Sequence, residues 1–247
     1  MANINYLKMK KGFIKTHYGN IYYKHNTSLG SNKYKLLLIH GLGGTVNSFK
    51  NLINVLPSNI EIYAIDLLSH GRSDKPNLNY NINIQSRVLN DFIKKTKFNN
   101  FYIFGHSYGA HVAMKYALDY GTQKINAFII EDSPILSKNI INLHRDKKLI
   151  KKIMQIALKS KTSKKSIILK ILNNITNEGF TNLKHIDKPL LILWGEKDDI
   201  TKIDFAYKLN KNLNFNNIKI IKNAKHTPHH SNAQELKNIL IEFMEYK

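Results

Sequence analysis

The 247-residue chain has no cysteine. That excludes a disulfide framework, a thiolate nucleophile and any cysteine metal site, and it suits a reducing compartment. Acidic residues are scarce, 17 against 38 lysines and arginines, for a formal net charge of +21. Such an excess invites a nucleic-acid or anionic-membrane reading. The lysines, however, are spread along the whole chain among many Asn and Ile, so the charge reads first as compositional drift, and no specific nucleic-acid partner is expected. No apolar run approaches bilayer length, and Met1 to Lys11 is polar and basic without a stretch of signal-peptide length, so a cytoplasmic protein is expected. Proline numbers only 5, and there are no repeats or low-complexity tracts to mark a separately folding second domain. What is present is 43% hydrophobic residues, enough for a substantial core.

Short apolar runs alternate with helical periodicities, which predicts a mostly parallel sheet with helices on both faces. Gly12 to His17 and Ile21 to His25 flank a turn and read as a hairpin. Lys35 to Ile39, Ile60 to Ile65, Phe101 to Phe104, Ala127 to Glu131, Leu190 to Trp194 and Ile218 to Ile221 read as strands covered on both sides. Helices are expected over Val46 to Leu56, Ile84 to Lys97, Tyr108 to Tyr120, Ile203 to Lys211 and Asn232 to Tyr246. From Ile135 to Ile186 only helical patterning appears, such as Leu149, Ile150, Ile153, Met154, Ala157 and Leu158. This segment reads as a helical lid, 135–186, inserted into a core of 1–134 and 187–247. Its lysine-rich polar face reads as solvated, with membrane contact the lesser alternative.

The chemistry centres on Gly105-His106-Ser107-Tyr108-Gly109, a G-x-S-x-G pentapeptide between an apolar strand and a helix. Reversing a strand into a helix within so few residues strains the central residue, and glycines on either side remove colliding Cβ atoms. A serine hydroxyl at neutral pH needs a base, normally a histidine oriented by a carboxylate. Glu196-Lys197-Asp198-Asp199 follows the strand Leu190 to Trp194, and His226 follows Ile221. That chain order, serine, aspartate, histidine, is the order of nucleophile-elbow hydrolases.

Five segments together resemble the α/β-hydrolase superfamily, of the small lid-bearing esterase or thioesterase kind. His40-Gly41-Leu42-Gly43-Gly44 resembles its oxyanion loop, and Asp66-Leu67-Leu68-Ser69-His70-Gly71-Arg72-Ser73 its Asp-x-x-Gly-His-Gly-x-Ser turn. Gly105 to Gly109 is the elbow, Gly195 to Asp198 resembles the acid-bearing turn, and Asn223 to His226 the histidine loop. Ser69 and Lys225 depart from the pattern, each standing where the family usually has glycine. At Ser69 little cost is expected; at Lys225 a changed backbone is. The resemblance implies an eight-stranded α/β-hydrolase fold, Ser107 as nucleophile, His226 as base, and backbone oxyanion donors at Leu42 and Tyr108. It implies Asp198 as the acid, with Asp132 at the sixth strand end and Asp199 next door as alternatives. It also implies a small-molecule acyl ester or thioester substrate and neither cofactor nor metal. His40, His70, His106 and His111 are expected to be structural or pocket-lining, and His226-x-x-His229-His230 not to ligate metal. Phe49, Trp194 and Met154 are candidates for the acyl pocket, with core packing the plainer role. Proton-abstracting lyases share this fold, and a non-catalytic ligand receptor is the remaining alternative.

Overall fold

A computed structural model describes residues 9–26, 33–134, 147–159, 161–177, 180, 183, 186–213 and 217–245. Eight strands, β1 (Met9–Thr16), β2 (Gly19–Asn26), β3 (Tyr34–Ile39), β4 (Ile60–Ile65), β5 (Phe101–His106), β6 (Ile125–Glu131), β7 (Leu190–Gly195) and β8 (Ile218–Ile221), form one sheet in the order β1-β2-β4-β3-β5-β6-β7-β8. Only β2 runs against the others: it pairs antiparallel with both β1 and β4, and every later pairing is parallel.

The helices are α1 (Lys50–Val55), α2 (Ile82–Thr96), α3 (Tyr108–Tyr120), α4 (Lys147–Lys159), α5 (Lys165–Asn177), α6 (Asp204–Leu213), α7 (Pro228–Ser231) and α8 (Ala233–Glu245). The central strands read as unbroken apolar runs because both faces are covered. Side chains alternate along a strand, so Leu37 and Ile39 pack with Val88, Phe92 and Val112 of α2 and α3. Leu36 and Leu38 point the other way, into a cluster with Leu52 of α1 and Leu236 and Leu240 of α8.

The expected helix at Val46 to Leu56 starts as a 3-10 turn, Val46–Phe49, before α1. Thr45 caps it by a reciprocal bond with Ser48, and the Asp66 carboxylate takes the Val46 amide at 2.7 Å, which holds the first turn tight. The expected C-terminal helix, Asn232 to Tyr246, is α8, and the short α7, Pro228–Ser231, precedes it. Between β6 and β7 lie α4 and α5, within the segment expected to be a lid; residues 135–146 of that segment fall outside the described residues. Among the described residues no helix is long and apolar enough to cross a membrane.

Candidate active site

The strand β5 ends at His106 and α3 begins at Tyr108, so Ser107 alone makes the reversal, with φ 49° and ψ −115°. Both elbow glycines are needed for close approach. A Cβ on Gly109 would collide with the carbonyl oxygens of Ile39 and His40, and one on Gly105 with the backbone of Ala110. Ser107 is fixed through its backbone: its amide donates to the Glu131 carbonyl at 2.8 Å, and its carbonyl accepts from Ser133 Oγ at 2.7 Å.

His226 Nδ1 donates to Asp198 Oδ2 at 2.8 Å. That carboxylate also accepts from the amides of Ile200 (2.8 Å) and Thr201 (3.0 Å) and from Thr201 Oγ1 (2.6 Å). Burial pushes the Asp198 carboxyl up, but His226, Thr201 and the Ile200 amide outweigh it and hold the group below its ordinary value. The two loops are stitched together: Lys197 N donates to Ala224 O at 2.8 Å, and a Cβ on Gly195 would collide with the Lys225 carbonyl. Lys225 takes no left-handed conformation; that falls to Asn223, at φ 60°.

Asp132 sits behind this pair. It is buried, its Oδ1 accepts from Gly195 N at 2.8 Å, and its Oδ2 has no hydrogen-bond partner. Burial, then the charges of Glu131 and Asp198, push its carboxyl well above the ordinary range. Asp199 faces away, paired with Lys152 of α4 at 2.6 Å. Of the three candidate carboxylates, Asp198 is therefore the one bonded to His226.

A cavity of about 180 Å³ joins Ser107 and His226. Gly41 to Gly44 form one wall, with Leu42 on the lining, and Ile153 and Ile156 of α4 form the roof. A Cβ built on Gly41 would stand 3.2 Å from Ser107 Cβ, which shows how closely this loop crosses the serine. The N-terminus of α3, opening at Tyr108, adds the positive end of its dipole. Phe49 and Trp194 are fully buried in the core and Met154 packs in a cluster behind α4; none of the three lines the cavity.

The loop is braced by His40. Its Nδ1 donates to Gly41 O at 2.7 Å and its Nε2 accepts from Leu67 N at 3.0 Å, a pattern that needs the neutral ring, and burial lowers its pKa to about 4. Asp66 is the second brace, accepting from Val46 N and, at 2.8 Å, from Arg72 N. Gly71, at φ 51°, lies so close that a Cβ would collide with this carboxylate. Ser69 adopts φ 78°, so this serine does carry a backbone cost, of about 1–2 kcal/mol. Replacing Asp66 with alanine orphans both amides, and a loss of about 2 kcal/mol or more in unfolding free energy is expected by denaturant titration.

Sequence reading missed a polar layer under the site. Glu131 accepts from His229 Nδ1 through Oε2 and from His229 N through Oε1 at 2.8 Å, while His106 Nε2 donates to His226 O at 2.8 Å. The residues preceding Ser107 and Asp132 thus clamp both ends of the histidine loop. His106, Glu131 and His229 bring ligand-type atoms within 4.8 Å of one another, and hydrogen bonds already engage all three residues. Thr201 was missed too, although Asp-x-x-Thr is a spacing at which a side-chain carboxylate caps following amides.

Comparison with known proteins agrees with this architecture. An uncharacterized protein of Mycobacterium tuberculosis is 30% identical over 105 residues, 42% of this chain and 30% of that protein's length. Lipase 1 of Psychrobacter immobilis is 24% identical over 226 residues, covering 78% of this chain and 71% of the lipase. The crystal structure of a putative lipase from Acinetobacter baumannii superposes with a TM-score of 0.80 at 22% identity, over 98% of this chain and 93% of that one. The profile of the alpha/beta hydrolase fold matches residues 34–161, and the chain belongs to that family.

Proposed function

We propose that the protein is a serine hydrolase that cleaves a carboxylic ester or thioester through an acyl-enzyme on Ser107. The observation that carries the reading is that Ser107, on a strained elbow, shares one cavity with His226, whose other ring nitrogen is bonded to a fourfold-held carboxylate. In this mechanism His226 takes the Ser107 proton as Oγ adds to the carbonyl carbon. The tetrahedral oxyanion is received by the amides of Leu42 and Tyr108, each worth about 3 kcal/mol. His226 then gives the proton to the departing alcohol or thiol. Water repeats the sequence on the acyl-enzyme, and Asp198 keeps the imidazole in the right tautomer throughout. The helices α4 and α5 act as the lid. Lipase relatives support an ester substrate.

A fluorophosphonate probe should add one phosphonyl group to the protein, on the peptide carrying Ser107, with loss of ester turnover. Failure of a folded protein to react would overturn the assignment. Exchanging Asp198 for Asn should lower kcat about 10⁴-fold, because the amide selects the wrong imidazole tautomer, while Asp132→Asn should cost less than about 10-fold. Kinetics of the two variants separate the carboxylates, and the reverse ranking would transfer the role to Asp132.

A further inference from the structure

The cavity over Ser107 is small, largely apolar and roofed on one side by α4, and its dimensions speak to the acyl group. Its volume of about 180 Å³ compares with the roughly 150 Å³ apolar cavity that takes up a benzene ring. On that scale it holds about seven non-hydrogen atoms, two of them the carbonyl carbon and oxygen.

On the α4 side the boundary is built from packed structure. Gly43 adopts φ 76°, and a Cβ there would lie 2.6 Å from Ala157 Cα, so α4 is seated directly on the oxyanion loop. Thr162 Oγ1 donates to Gly43 O at 2.8 Å, and Lys152 ties the other side of α4 to Asp199. Ile153 therefore projects its side chain into the roof at a fixed height. Behind it Ala157, Ile168 and Leu172 form a buried cluster, against which Ile153, Met154 and Leu158 pack. Among the described residues, a chain growing toward α4 meets these side chains. Ile156 stands at the mouth, lining the cavity while 42% exposed. Among the described residues no lysine, arginine, aspartate or glutamate lines the cavity, so no such side chain there pairs with a charged acyl group as it is desolvated.

We infer that the substrate carries an uncharged acyl group of about four to six carbons, and that Ile153 sets this limit. The inference rests on the ester-hydrolase reading above and narrows it. Lengthening the chain past the limit demands that α4 lift from Gly43 or that the tail fold back into water. Either loses rate, because a single misplaced methylene in an apolar pocket is worth about 10-fold or more.

The test is kcat/KM over p-nitrophenyl esters from acetate to dodecanoate, on wild type and Ile153→Ala. Wild type should peak at butanoate or hexanoate and fall at least about 10-fold by decanoate. Truncating Ile153 removes about three carbons, or about 75 Å³ on the benzene scale, and should move the peak to octanoate or decanoate. A wild-type profile that is flat or still rising at dodecanoate overturns the inference without any variant. A folded Ile153→Ala enzyme with an unmoved peak overturns the role of Ile153; should that variant not fold, Ile153→Val should give a smaller shift in the same direction. Absence of turnover at every length, together with no fluorophosphonate adduct, would instead defeat the hydrolase reading itself.

Discussion

Replacing Ser107 with alanine is expected to lower kcat for ester hydrolysis about 10⁶-fold, since the nucleophile cannot be supplied by a neighbour. Only about 10³- to 10⁴-fold catalysis over water should survive, from oxyanion stabilisation and binding. The companion variant Ser107→Gly separates chemistry from architecture. At φ 49° and ψ −115° a residue with a Cβ costs about 1–3 kcal/mol. That conformation persists because the Glu131 carbonyl and Ser133 Oγ hold the peptide groups on both sides. Glycine relieves the strain and gives back about 0.5–1 kcal/mol in unfolded-chain entropy. The inactive Ser107→Gly protein should therefore be more stable than wild type by about 1 kcal/mol, read as a rise of a few degrees in thermal midpoint. A lower midpoint would mean that the elbow is not strained, and a glycine or alanine variant with appreciable turnover would remove Ser107 from the mechanism.

The elbow was legible because its requirements are local. A strand, a reversal and a helix in nine residues leave little freedom in where the glycines go, and the collisions at Gly105 and Gly109 show why they cannot be replaced. The sheet was legible for the same reason: runs such as Leu36–Ile39 and Leu190–Trp194 are apolar on both faces, which only a covered strand permits. Strand ends were less so. The strand β5 runs on through Gly105 and His106, two residues with weak strand preference that are held by pairing with Ile130 and Glu131 of β6.

Choosing among three aspartates needed distances. Asp132 and Asp198 both sit at C-terminal strand ends near the histidine loop, and nothing in the spacing decides which one meets His226. The structure separates them by donors: Asp198 is followed by Ile200 and Thr201, whose amides turn back on it, whereas Asp132 receives one amide and keeps an unpartnered oxygen. The link between Glu131 and His229 spans 98 residues and has no local signature at all. Nor could periodicity show that Ile153 and Ile156 face the cavity while Met154 packs behind them. That depends on the angle at which α4 meets Gly43.

Mild acid should destabilise this protein, with an unfolding midpoint of about pH 5 or below at 25 °C. Burial lowers the pKa of His40 and His111 to about 4 and of His70, His106 and His229 to about 3, from an ordinary value of 6.5. The native state then binds fewer protons than the unfolded chain, so stability is whole above pH 6.5 and falls as pH drops below it. Each histidine removes about 2 kcal/mol by pH 5, and the five together about 10 kcal/mol. Glu131 works the opposite way. Burial raises its carboxyl to about 7, so protonation favours the native state as pH falls and returns about 2 kcal/mol; Asp132, also raised, acts in the same direction. The remaining deficit equals much of the 5–15 kcal/mol that holds a typical domain together. Asp198, held below its ordinary value, adds a further loss only at lower pH. The single tryptophan, Trp194, is fully buried between the sheet and α6, so its emission reports the transition. Unfolding free energies from denaturant titrations between pH 7.5 and 5.5 should fall with an average slope of about one to two protons, the histidine loss less the return from Glu131 and Asp132. A stability that is flat or rises as pH falls over this range would mean that these histidines are not buried as neutral rings.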